Sequence, residues 1–419
     1  MMRTYDSYKD SGIEWIGEIP RHWEIKKLRF IFNEKKSTQN LSLNSGSISF
    51  GQVVYKNDDG IPEERKETYQ EVLKGEFLIN PLNLNYDLKS LRIGMSSIDV
   101  VVSSGYIVLK VIGMNSKGYF SYLLRLFDTQ HMKSLGNGIR QTISYKHISN
   151  EDLVLPPLTE QEQIVSYLDE KTSLIDEMVE KKKRKIELLK EYRTSLINTV
   201  VTKGLNPDIP MKDSGIEWIG EIPRHWESSK LKYLFHIIKN ISGELGYDIL
   251  SVTQKGVKIK DISKNEGQLS MDYSKYQLVN EGQFVMNHMD LLTGFIDISK
   301  FNGVTSPDYR VFESYGVNVL DRYYLFIFQL CYLLKIFYGL GSGVSNLGRW
   351  RLPSEEFLNF ILPLPPITEQ EQIVTYLDKK TSEIDKTIEL ENKKIELLKE
   401  YRQSLISNVV TGKIKVVSE

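Results

Sequence analysis

The residues of this chain that could support catalysis are scattered, and no spacing assembles them into a site. Asp59, Glu64 and Lys66 have the acid–acid–lysine order of a nuclease centre, but with 54 Lys/Arg and 55 Asp/Glu such strings arise cheaply. Asn80-Pro81-Leu82-Asn83 approaches the Asn/Asp-Pro-Pro-aromatic string of adenine methylation, yet lacks the second proline and the aromatic. No GxGxG loop and no Walker GxxxxGK[ST] motif is present, so a nucleotide-hydrolysing role is not expected. Of six histidines, His22 and His225 sit in matched segments and the others stand alone, without zinc spacing. The single cysteine, Cys331, excludes an intrachain disulfide and any Cys-pair zinc site. No catalytic residue, metal or cofactor is therefore expected. What remains is recognition chemistry: Lys and Arg for phosphate and guanine, Asn and Gln for adenine, near Gly-rich turns whose N–H groups can meet phosphate.

The elements that must position such residues are written twice. Lys9–Glu24 and Lys212–Glu227 both read KDSGIEWIGEIPRHWE, 16 identities in 16. Leu155–Val201 and Leu364–Val410 share 33 of 47 positions. Between these frames lie two blocks of different sequence, 25–150 and 228–360. Near-identical frames imply two copies of one fold with one job. Divergent inserts imply two different targets.

Each longer frame opens on Pro-Pro followed by Thr-Glu-Gln-Glu. Thr159 with Glu162, and Thr368 with Glu371, have the spacing of a capping box. No proline or glycine follows until Gly204, which predicts a helix of about 40 residues, roughly 60 Å long. Apolar residues recur at Leu168, Ile175, Ile186, Leu189, Leu196 and Val200. In the second copy they fall at Leu377, Ile384, Ile388, Ile395, Leu398, Leu405 and Val409. Steps of three, four and seven mark a coiled-coil seam, closed most simply by an antiparallel pair within the chain; an intermolecular coil is the other arrangement. The run Lys181–Lys185 reads as a solvated helix face or as a DNA or partner contact. The short frame holds four of the five tryptophans, Trp15, Trp23, Trp218 and Trp226. They anchor it on its own domain or on a partner subunit.

With 419 residues, two or three domains are expected. The polar N-terminus is no signal peptide, and the apolar stretch Tyr323–Leu340, interrupted by Gln329 and Lys335, reads as a buried helix rather than a membrane span. A cytoplasmic protein without membrane contact is expected. Net charge is −1 overall, but residues 25–150 carry 17 Lys/Arg against 11 Asp/Glu, whereas residues 228–360 carry 14 against 13. Positive charge is thus concentrated in the first block, as a phosphate-facing surface requires.

The duplicated order GIEWIGEIPRHW, variable block, LPPLTEQEQIVSYLD and KIELLKEYR resembles the specificity subunits of type I restriction-modification enzymes, over essentially the whole chain. The resemblance implies an α+β fold: two pseudo-symmetric mixed α/β target recognition domains separated by a long antiparallel two-helix coiled coil. The boundaries are 1–154 for the first recognition domain, 155–204 for the first long helix, 205–363 for the second domain and 364–419 for the second helix and tail. It further implies a non-catalytic subunit that reads a bipartite, asymmetric site on double-stranded DNA. Two methyltransferase subunits would dock on it, and restriction/translocase subunits would join them. A coiled-coil adaptor that joins protein partners without reading DNA is the alternative.

Within the blocks, Gly75–Asn80 aligns with Gly282–Asn287, Ser103–Val108 with Ser306–Val311, and Gly136–Gln141 with Gly341–Asn346. The family's arginine after the last glycine pair falls at Arg140; the second copy has Ser345 there. The DNA-contact candidates in the first block are Lys89, Arg92, Asn137, Arg140, Gln141, Tyr145 and Lys146. In the second they are Lys255, Lys258, Asn287, His288, Asn346, Arg349 and Arg351.

Overall fold

A computed structural model describes residues 4–82, 91–135, 142–261, 272–344 and 349–416. The chain forms two compact units. One comprises residues 1–182 and 393–419, the other residues 183–392.

In the first unit, strands β1 (Phe32–Glu34), β2 (Phe77–Ile79), β3 (Ile93–Met95) and β4 (Ile107–Val111) form an antiparallel sheet in the order β1-β4-β2-β3. Helix α1 (Lys117–Gln130) covers one face. Its Tyr119, Phe120, Leu123, Leu124 and Phe127 recur at helical spacing and are fully buried with Phe32 and Phe77. Phe120 meets Phe32 edge-on at 5.1 Å. The other face carries Val72, Leu78, Val100 and Val108.

The second unit repeats this plan with different residues. Strands β5 (Phe235–Ile238), β6 (Phe284–Met286), β7 (Ile296–Ile298) and β8 (Arg310–Ser314) pair in the order β5-β8-β6-β7. The register is equivalent too: Leu109 lies opposite Phe77, and Phe312 opposite Phe284. The covering helix (Asp321–Leu333) holds Tyr323, Tyr324, Phe328 and the free thiol of Cys331, all buried. The apolar stretch Tyr323–Leu340 is thus a buried helix followed by a short one at Ile336–Gly339. No helix among the described residues is long and apolar enough to cross a membrane.

The frames form two long helices, Leu158–Lys203 (46 residues) and Ile367–Val410 (44 residues), hereafter the first and second long helix. Each starts in one unit and ends in the other. In the first unit Asp176 takes a two-point ion pair from Arg402, at 2.9 and 3.1 Å. In the second unit Arg193 makes the equivalent pair with Asp385, at 3.0 and 3.2 Å. In both units residue numbers rise on one helix as they fall on the other, so the segments run antiparallel. The seam shows as buried positions Ile164, Leu168, Ile175, Val179, Ile186, Ile197 and Val200, and as Ile373, Leu377, Ile384, Ile395, Leu405 and Val409. Leu189, Leu196, Ile388 and Leu398 are half-buried along it.

The helix starts differ from the expected capping boxes. The Pro157 carbonyl already accepts the Gln161 N–H at 2.9 Å, and Pro366 accepts from Gln370 at 3.1 Å. Thr159 and Thr368 therefore lie inside the first turn, past the cap position, and the Gln161 and Gln370 N–H groups that a capping hydroxyl would take are already bonded to the proline carbonyls. The start is sealed instead by Gln161. It accepts the Ser116 N–H at 2.9 Å and donates to the Pro156 carbonyl at 2.8 Å. Gln370 does the same with Leu320 and Pro365, both at 2.9 Å.

Candidate nucleic-acid interface

The short frame folds into a strap that closes each unit. Trp23 and Trp226 are fully buried, so the strap is anchored on its own unit. Trp23 donates its indole N–H to Glu160 at 3.0 Å, and the same carboxylate meets His22 at 2.6 Å and the Tyr5 hydroxyl at 3.0 Å. Trp226 and His225 meet Glu369 at 2.9 and 2.5 Å. Both acids sit in the first turn of a long helix, where the backbone dipole favours them. The same indoles cover the glycine that ends the opposite long helix. Gly204 (φ +74°) lies under Trp226 and Gly412 (φ +75°) under Trp23 and Pro20; at Gly412 a Cβ would stand 2.4 Å from the proline ring. Both positions favour glycine for the left-handed backbone, and at Gly412 the close approach of the proline ring demands it as well.

The two variable blocks hang from this shared frame. Gln70 donates to the Tyr106 carbonyl at 2.6 Å, and Gln277 to that of Tyr309 at 2.6 Å. Tyr119 donates to the Val410 carbonyl at 3.0 Å, and Tyr323 to that of Val201 at 2.7 Å. Burial holds both phenols well above their usual pKa. These glutamines and tyrosines were not singled out in the sequence; their equivalence shows only once the blocks are superposed on the sheet.

The candidate DNA contacts fall into three groups. Lys89, Asn137, Arg140, Gln141 and Asn346 lie outside the described residues. Tyr145 and Asn287 are engaged inside their units. The Tyr145 hydroxyl donates to the Phe32 carbonyl at 2.9 Å, and burial raises its pKa. The Asn287 side chain accepts the Met289 N–H at 3.3 Å, while its carbonyl accepts the Tyr332 hydroxyl at 2.8 Å. Arg92 is half-buried, its backbone N–H bonded to the Asp128 carboxylate. Lys146, Lys255, Lys258 and Arg351 are exposed. Lys255 and Lys258 share one hairpin (Leu250–Thr253 with Gly256–Ile259), steadied where Val257 donates to Asp297 at 3.0 Å.

Arg349 and Arg351 lie on the second strand of another hairpin, Ser342–Val344 with Arg349–Arg351. Behind it stands His288, whose imidazole is pushed down to about 3, first by burial and then by the positive charges of Arg310 and Arg351. Arg310 was missed in the sequence, although the signal was there: it is a charged residue in a strand whose counterpart reads Ile107. The run Lys181–Lys185 is ion-paired. Lys181 meets Glu177, Arg184 meets Glu187 and Lys185 meets Glu391, at 2.5, 3.2 and 3.0 Å.

Two α+β units on one repeated frame, with unlike inserts, define a duplicated recognition protein. The family model described as "Type I restriction modification DNA specificity domain" matches residues 20–188 and again 223–400, and the chain belongs to that family. It is similar to two proteins of Methanocaldococcus jannaschii. The putative type I restriction enzyme MjaX specificity subunit is 24% identical over 432 residues, with 96% of each chain covered. The type I restriction enzyme MjaVIII specificity subunit is 24% identical over 428 residues, covering 95% of this chain and 94% of the relative. Among solved structures, a chain from work on complex assembly and conformational transition of the type I R-M system superposes with a TM-score of 0.65 at 13% identity, over 94% of this chain and 98% of that one. The HsdS subunit from Thermoanaerobacter tengcongensis gives a TM-score of 0.52 at 13% identity, over 96% and 99%. These likenesses support the fold.

Proposed function

We propose that this specificity subunit reads a bipartite, asymmetric site on double-stranded DNA, one half-site per unit, and performs no chemistry itself. The observation that carries this reading is the pairing of one frame with two faces. Strand order, sheet register, glutamine and tyrosine braces and Trp–Glu clasps are the same in both units. The sequences of the two blocks, 25–150 and 228–360, differ. A protein built to hold one duplex at two unlike sequences needs that combination: repeated supports for the backbone contacts, and separate side chains for the base edges.

The remaining roles follow the same logic. The long helices, about 69 Å for 46 residues, set the distance between half-sites. The repeated straps and helix ends offer two equivalent surfaces to two methyltransferase subunits, to which restriction/translocase subunits would attach in the cytoplasm. Lys89, Arg92, Lys146, Lys255, Lys258, Arg349 and Arg351 are assigned to phosphate or guanine. Asn137, Gln141, Asn287 and Asn346 are assigned to adenine edges, with Arg140, Tyr145 and His288 beside them.

Mapping of methylated adenines in cells carrying this subunit with its modification partners tests the reading. A split motif with a fixed gap is expected. An undivided motif, or methylation without sequence preference, sinks it, and the latter would favour the adaptor role. The purified chain with S-adenosylmethionine and Mg²⁺ should show no turnover.

A further inference from the structure

Arg310 is a buried charge without a counter-charge. It is 3% exposed and opens strand β8, opposite Met286. Its guanidinium donates to the Leu352 carbonyl at 2.9 Å and to the Ser354 hydroxyl at 3.2 Å, approaches the Met286 sulfur at 3.9 Å, and lies 4.5 Å from the centre of the Phe357 ring. Among the described residues no carboxylate pairs with it. Burial brings its pKa down to about 10, which leaves it protonated at neutral pH. No anionic neighbour among the described residues offsets it: His288, which feels the positive charges of both Arg310 and Arg351, is itself held neutral.

Stability alone does not explain such an arrangement. An unpaired buried cation costs free energy, and an apolar residue of similar volume usually serves a core better. The first unit is built that way. At the equivalent positions it has Ile107 for Arg310 and Pro81 for His288, on the same backbone. The Ile143 N–H bonds to the Pro81 carbonyl at 3.1 Å, just as the Leu352 N–H bonds to that of His288 at 3.0 Å. The frame therefore folds without the arginine.

What the arginine does touch is the exit of the hairpin that carries Arg351. Leu352 is the residue that leaves the strand Arg349–Arg351, and Ser354 begins the short helix after it. A planar fork bonded to both fixes the path of the chain where it leaves that strand.

We propose that Arg310 is a positioning residue of the second unit, holding in place the strand Arg349–Arg351 that pairs with Ser342–Val344 and keeping the ground behind it positive, so that the phosphate backbone of duplex DNA supplies the missing counter-charge. The inference rests on the DNA-reading function above and adds to it that the second unit, whose block is nearly neutral by composition, draws its local positive field from a buried source.

The test uses the full chain and 40-bp duplexes: one carrying the site mapped by methylation, two with one half-site scrambled, and one fully scrambled. Binding is measured across a salt series. Arg310→Met should weaken binding about tenfold on duplexes that retain the half-site read by the second unit, and should flatten the dependence of log Kd on log salt by about one charge. Binding through the other half-site should be unchanged, and the melting temperature should stay equal or rise. Arg310→Lys should keep the salt slope but lose half-site discrimination, since an ammonium cannot hold Leu352 and Ser354 together. Unchanged affinity and slope in Arg310→Met overturn the inference, as does a fall in melting temperature with equal loss at both half-sites, which marks a merely structural role. Should Arg310→Met not fold, Arg310→Lys decides: retained discrimination overturns the proposal. A wild-type chain that binds none of the duplexes overturns the DNA-reading assignment itself.

Discussion

Trp23 donates its indole N–H to the Glu160 carboxylate at 3.0 Å, tying the strap at the start of the chain to the first turn of a helix more than a hundred residues later. The bond recurs between Trp226 and Glu369 at 2.9 Å. A fully buried indole N–H has no water to turn to when its acceptor is removed. Glu160→Ala should therefore destabilise the first unit by about 1–3 kcal/mol, the usual cost of an orphaned buried donor. Glu369→Ala should cost less, because Glu369 takes two side-chain donors where Glu160 also takes Tyr5. Calorimetric melting of the two variants checks the order; equal or negligible shifts would remove the clasp from the account of stability.

Stability should also depend on pH through His288. Its folded pKa, about 3, lies below the ordinary 6.5, with burial as the main cause and the charges of Arg310 and Arg351 adding to it. The unfolded chain thus takes up a proton as pH falls through 6.5 while the folded chain does not until about 3. The sign follows from linkage: this contribution is fully present above pH 6.5 and is lost progressively as pH falls towards 3. His288→Gln should flatten that part of the curve of melting temperature against pH for the second unit, and a parallel curve would show that the imidazole is not responsible.

Much of the fold was legible because duplication separates what is fixed from what is free. The seam residues Leu168 and Leu377, and the Pro-Pro starts, repeat at one offset, so their spacing gave the helices, while the choice between an intrachain and an intermolecular coil came from the fold. The clasp was half legible. Trp23 stood out by residue type, but Glu160 looked like one acid among several in a first turn, and only the fold brings it under the indole. Thr159 misled because a capping box is defined by spacing alone, whereas the Pro157 carbonyl had already started the helix. The interface was least legible. Tyr145 and Asn287 have the chemistry of DNA contacts and also hold backbone groups of their own unit, a second role set by neighbours the sequence does not show beside them. Arg310 was missed because Ser306–Val311 aligns with Ser103–Val108 as a whole segment, and that alignment by itself gives no reason for an arginine where the first copy has Ile107.

The modular reading makes a sharp prediction for chimaeras. The strands that frame each block, Glu24–Lys27 with Asp152–Leu155 and Glu227–Lys230 with Ile361–Leu364, are paired at the same place in both units. Replacing residues 25–150 by the corresponding block of another family member therefore leaves the strap and the Trp23–Glu160 clasp in place, while the incoming block resupplies the strand after Glu24 and the N–H that Ser116 gives to Gln161. Methylation mapping should show one half-site changed and the other unchanged. A change in both would mean that the blocks read DNA jointly, and the one-unit, one-half-site assignment would fail.

The helices as a ruler can be tested by lengthening both. Within the first unit, residues 158–182 pair with 393–410; within the second, 183–203 pair with 367–392. Insertions after Lys182 and after Asn392 therefore leave every pairing inside each unit untouched, whereas an insertion in one helix alone would shift the seam. One heptad in each adds about 10 Å, or roughly three base pairs, but three base pairs also turn the duplex by nearly a third of a turn. The gap read should change, and affinity should fall because one half-site has rotated away. Three heptads in each add about 32 Å, close to the 34–36 Å of one full turn, which returns the second half-site to the same face. That variant should regain methylation on a motif whose gap is longer by about nine or ten base pairs. An unchanged gap in both variants would exclude the helices as the element that measures it.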